Sequence, residues 1–129
     1  MNKILVEVSV GELLDKISIL EIKQEKIKDA ESLKFIIDEY NVLKSELDKN
    51  IKTDENLKNL FNSLKEINSK LWVIEDDKRM CEKNKDFGEK FIKLSRDIHF
   101  LNDNRAKIKL EINNHTGSKI KEIKEYVNY

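Results

Sequence analysis

Three arginines stand out in a chain that carries 22 lysines. Lysine already supplies the solvated positive charge, so Arg79, Arg96 and Arg105 mark places where a planar guanidinium fork is needed, for a carboxylate or phosphate above all. Around them lie residues that fit such a site. Trp72 and Glu75 precede Arg79 by seven and four positions, and Asn102 and Asp103 sit between Arg96 and Arg105. Two structural readings compete with a ligand site. Glu75, Arg79 and Glu82 have the i, i+4, i+7 spacing of a surface ion-pair ladder along one helix. Alternatively Glu75 crosses to Arg96 on a facing helix, beside Trp72. Arg105 falls where an apolar residue is expected, and a charge there needs a partner or water; Asn68 and Glu21 are the candidates. The ligand-binding set is therefore Glu21, Trp72, Glu75, Arg79, Arg96, Asn102, Asp103 and Arg105, with Glu75 or Glu21 as acid/base if the site is catalytic.

Other chemistry is poorly provided for. Histidine occurs only as His99 and His115, with no Glu-x-x-His pair and no cysteine cluster, so no metal site is expected. Cys81 ends an apolar seam without a nearby histidine and reads as a buried thiol. Ser118 reads as a helix cap. The chain has no glycine-rich phosphate loop, and no cofactor is expected.

The 25 basic residues balance 25 acidic ones, which gives no general attraction to nucleic acid or anionic lipid. No apolar run approaches the ~20 residues of a membrane span. A single cysteine fits a reducing compartment, and a cytoplasmic location is expected. At 129 residues, the chain reads as one domain over residues 1–129.

The elements that must position these residues follow from periodicity. Lys3 to Val10 alternates as a strand does, with no obvious partner beyond the C-terminal EYVNY. Ser9-Val10-Gly11-Glu12 is a capping-box pattern that opens a first helix. A second helix is expected over about Ser32–Lys49. A third starts behind Thr53 or Asp54 and runs to about Lys83, with Leu57, Leu60, Leu64, Ile67, Leu71 and Ile74 alternating by three and four. Asp86-Phe87-Gly88-Glu89 opens a fourth, whose seam includes Phe91, Leu94, Ile98, Leu101, Arg105, Ile108 and Ile112. Asn113 to Gly117 ends it, and Ser118 is expected to cap a short last helix. The long helices are forced antiparallel, with a turn centre near Lys85 and facing positions at sums near 170, so that Asn68 faces Asn102. The expected fold is all-α: a long coiled-coil-like helical hairpin covered by a shorter one, with a short extended N-terminal segment and a short C-terminal helix. The shorter pair covers little more than half of the long hairpin, which leads us to expect a homodimer.

GELLDKISILEIK from Gly11, LWVIEDDKRMCE from Leu71 and DFGEKFIKLSRDIHFLNDNRAKIKLEIN from Asp86, with Ser118, Glu122, Lys124 and Tyr126, resemble a family of short bacterial and phage proteins known only as a domain of unknown function. The resemblance spans nearly the whole chain and implies that Glu12, Asp15, Lys16, Glu21 and Lys23 belong to the family pattern, together with the site set from Trp72 to Arg105. It implies no activity. The leading functional expectation is a homodimeric adaptor or assembly protein in which a polar layer sets helix register. The alternative is a module, or an enzyme, for a small anionic ligand held by Arg79, Arg96 and Arg105. A protein partner is compatible with both; nucleic acid and membrane are not expected.

Overall fold

A computed structural model describes residues 2–129. Among these residues there are four helices and no strand: α1 (Val10–Lys26), α2 (Ala30–Asn50), α3 (Glu55–Lys83) and α4 (Glu89–Thr116). The caps explain the boundaries. Ser9 accepts from the Glu12 N–H, Asp29 from the Ser32 N–H and Asp54 from the Leu57 N–H. Each satisfies a donor that the first turn leaves unpaired. Capped by Asp29, the second helix therefore starts at Ala30, two residues earlier than the periodicity suggested. At α4 the cap is Gly88 rather than Asp86, and glycine has no side chain to accept a first-turn N–H; Asp86 Oδ1 accepts from the Gly88 N–H. Gly117 ends α4 in the left-handed region at φ 67°, where glycine avoids the Cβ clash.

The α3–α4 turn is centred on Lys85, which itself takes φ 53°. The Lys85 N–H bonds the Glu82 carbonyl and the Asp86 N–H reaches back to that of Cys81, which closes the helix end. With 29 and 28 residues, the two long helices span about 43 Å at 1.5 Å per residue. Of the shorter pair, α1 alone lies directly against both long helices, and α2 packs its backbone only on α1. The core is correspondingly confined: Leu14, Ile17, Leu47, Leu57, Leu64 and Ile112 form one buried cluster in the half of the hairpin that α1 covers. Beyond it the seam of the two long helices is only partly covered at Ile74, Phe91, Leu94 and Ile98, although Cys81 is buried there as expected.

Two expected elements do not form. Residues 3–8 form no strand and make no backbone bond to another segment, so the alternation Ile4, Val6, Val8 is left exposed. The last twelve residues, Ser118–Tyr129, contain no helix. Ser118 Oγ is turned to other partners: it accepts from the Val10 N–H at 3.1 Å and donates to the Ile120 carbonyl at 2.7 Å, and it caps no helix. A segment this short is marginal as a helix unless an apolar face is packed, and Ile123 and Val127 are 77% and 85% exposed.

Candidate functional site

The polar centre of the molecule is built on the face of α1 that carries Gly11, Asp15, Ser18 and Ile22. At spacings of four, three and four these residues form one stripe. Its small members let α4 come close. A Cβ on Gly11 would stand 2.6 Å from the Lys109 carbonyl oxygen, and the Gly11 N–H donates to Asn113 Oδ1 at 2.7 Å. One turn on, the Asp15 side chain is 2% exposed. Its carboxylate accepts from Arg105 Nε at 3.0 Å on Oδ1 and from Arg105 Nη2 on Oδ2, the bidentate geometry a guanidinium is shaped for. From α3, Asn68 Nδ2 donates to the same Oδ1 at 2.8 Å and to Ser18 Oγ at 2.8 Å. Ser18 in turn donates to the Asp15 carbonyl. A carboxylate can only accept, so the Asn68 amide must turn its nitrogen inward.

Lys109 extends this network to the tail. Its Nζ lies 2.6 Å from Glu12, 3.7 Å from Asp15 and 3.2 Å from Glu122, which also meets Lys124 at 2.8 Å. Charges of opposite sign thus alternate from α1 through α4 to the C-terminal segment. Hydrogen bonding to Asp15 pushes the Arg105 pKa further up, against the effect of burial. Burial alone would depress the Lys109 ammonium, but Glu12 and Asp15 outweigh it and hold the group charged. Lys124 and Lys109 hold the Glu122 carboxyl below the usual range.

Beside the buried cluster, where α1 runs out along the hairpin, lies a cavity of about 390 Å³. Five of the eight residues expected from the sequence border it: Trp72, Glu75, Arg79, Asn102 and Arg105. Asn68 and Asn102, expected to face each other, are both in its wall. The other three lie elsewhere. Glu21 meets Lys65 at 3.1 Å and Tyr40 at 3.4 Å on the α2 side, and so does not serve Arg105. Asp103 takes the hydroxyl of Tyr129 and holds the tail. Arg96 stacks over the Phe100 ring at 5.9 Å. The crossing pair of Glu75 and Arg96 does not form among the described residues, nor does a Glu75–Arg79 ladder. Both Glu75 and Arg96 are exposed, so neither charge needs a protein partner.

Asp15, Ser18, Lys109 and Asn113 were not singled out by chemistry in the sequence. The stripe of Gly11, Asp15 and Ser18 inside an otherwise apolar helix was the available signal for the first two. His99 lies at the rim against Phe100 and Tyr129, with ring centroids 4.5 and 5.4 Å away. His115 bonds Asp54 across the base. Among the described residues no group of three His, Cys, Asp or Glu could hold a metal ion, and no helix is long and apolar enough to cross a membrane.

Fold and site together define an all-helical domain in which a buried carboxylate–guanidinium–amide network ties one helix to a long hairpin. The chain belongs to DUF6165, a family of unknown function, whose model matches residues 4–129. No curated protein and no solved structure shows a match to it.

Proposed function

We propose that the chain is a homodimeric helical adaptor, whose polar layer sets the seat of α1 and whose outer hairpin is offered to another helix. The observation that carries this reading is that α1 stops at Lys26 while the groove it occupies runs on. Beyond Ile22 that groove continues past Trp72, Glu75 and Arg79 to Glu82 and Phe91, with no third helix over it. An amphipathic helix is the natural occupant, since α1 fills the same groove one level down. The groove presents Glu75, Asp76 and Glu82 beside Lys78 and Arg79, which suits a partner helix carrying both signs of charge. Arg105 supports the adaptor over the anion pocket. Its fork is taken by Asp15, it contributes no free charge, and Arg96 lies apart on Phe100.

Light scattering over a micromolar concentration series tests the dimer, with twice the 15.3 kDa chain mass expected and a monomer overturning it. Trp72 is the chain's one tryptophan and stands in the groove. Its emission should stay constant through dimerisation if the groove is kept for another protein.

One observation favours a second reading, a small-ligand site in the same cavity. Asn68, 6% exposed, stands in its wall beside Trp72, Glu75 and Arg79, with its amide nitrogen taken by Asp15 and Ser18. That set suits a ligand carrying both a donor and an anionic group. Thermal melts with small carboxylates and phosphates would reveal it, through a gain that disappears in Arg79→Gln.

A further inference from the structure

The N-terminal segment is the least explained part of the molecule. Ile4, Leu5, Val6 and Val8 are 85%, 83%, 74% and 40% exposed, and the segment ends in Ser9, which is buried as the cap of α1. Among the described residues, no backbone hydrogen bond joins residues 2–8 to another segment. The match to the family begins at residue 4, so Ile4 to Val8 fall within it. A segment rich in β-branched residues, with its backbone unpaired, is a template for strand pairing. We infer that residues 2–8 pair antiparallel with the same residues of a second copy, forming a two-stranded ribbon across the two-fold axis of the dimer.

The side chains select one register. In a two-fold antiparallel pair the numbers of facing residues have a constant sum. An odd sum would set Lys3 or Glu7 opposite a residue of the Ile4, Val6, Val8 face and mix the two faces. Among even sums, six sets Lys3 against Lys3 and fourteen sets Glu7 against Glu7. Eight faces Lys3 with Leu5, and twelve faces Glu7 with Leu5. Only a sum of ten places Lys3 opposite Glu7, twice by symmetry, with Ile4 opposite Val6 and Leu5 opposite its own copy. A parallel in-register pair would stack like charges at both positions, which is unfavourable. In the chosen register Ile4, Val6 and Val8 of both strands share one apolar face. A bare ribbon is marginal in water and needs backing. Ile120 is at hand, since the tail leaves Ser118 bonded to Val10. The ribbon lies at the base of the bundle, opposite the hairpin turn, and leaves the outer groove open.

This inference rests on the homodimer reading and names its surface, so the test separates the two. Lys3→Glu and Glu7→Lys are made singly in the full chain. Both side chains are exposed and lie outside the helices, so helical content by circular dichroism should not change. Each variant alone should raise the dimer dissociation constant about tenfold or more, as two favourable pairs become repulsive ones. An equimolar mixture of the two should recover wild-type affinity, because every facing pair is again of opposite charge. Leu5→Cys should oxidise to a covalent dimer and Ile4→Cys should not, with the wild type and its buried Cys81 as the control. A wild-type monomer overturns both the dimer and the ribbon. A wild-type dimer that neither charge variant weakens overturns the ribbon and leaves the dimer standing. Weakening that mixing does not repair overturns the register.

Discussion

The side chain on which most depends is Asp15, a carboxylate with 2% exposure held by groups from two other helices. Removing charges from water is costly, so breaking a buried pair is far worse than replacing both partners with apolar groups. A paired seam arginine could in principle be exchanged for leucine at little loss. With Asp15 as the partner, that holds only when both change. Arg105→Leu and Arg105→Ala should each destabilise by roughly 2–4 kcal/mol, tempered because Asn68 and Lys109 still reach the carboxylate. Asp15→Leu combined with Arg105→Leu should recover most of that loss, since Ser18 still accepts from Asn68. Denaturant unfolding of Asp15→Leu, Arg105→Leu and the double variant checks this. Additive losses would show that the pair is not coupled.

At the scale of elements, close approach and tethering govern how α1 and the tail sit on α4. Gly11 is at a helix start, where glycine is often only tolerated, but here its missing Cβ is what allows contact with the Lys109 carbonyl. Backbone cannot yield as a flexible side chain does. Gly11→Ala should therefore cost about 1–3 kcal/mol despite the better helix propensity of alanine, read as a lowered Tm. The tail is held by ionic and polar contacts. Because Lys124 and Lys109 keep the Glu122 carboxyl below its ordinary value of 4.5, the tether is complete above that pH. It is lost as pH falls through the lower folded value. NMR signals of the Val127 methyls should sharpen over that acid range while those of Leu64 do not. In Glu122→Gln the acid transition of the tail should be absent.

At the scale of the whole molecule, stability is unevenly distributed. The buried cluster, α1 and α2 lie in one half of the hairpin, and the outer half is two helices deep. Such a molecule should open from the hairpin turn first, with amides of residues 76–95 exchanging faster than those of residues 57–71. If two copies associate as proposed, the Tm should rise with protein concentration, because mass action favours whatever binds the native state alone. A Tm that is flat from 1 to 100 times a micromolar concentration would speak against a dimer coupled to folding.

Local rules were enough for much of this architecture. The capping residues Ser9 and Asp54, the three-and-four alternation of α3 and α4, the turn at Lys85 and the stop at Gly117 depend on interactions within a few residues, and sequence order states those directly. The facing of Asn68 and Asn102 was also legible, because an antiparallel hairpin with a known turn centre converts position into height. What sequence could not supply was which helix fills the third place. Arg105 had several candidate partners at the right height, and only the packing of α1 on α4 through Gly11 brings Asp15 to it. The same holds at the ends. Strand alternation in residues 3–8 and helical spacing in the tail are propensities, and a propensity becomes an element only when a neighbour pairs the backbone or covers the apolar face. Within one chain neither neighbour is present, because α1 occupies the seat on the hairpin and Ser118 is bonded to Val10.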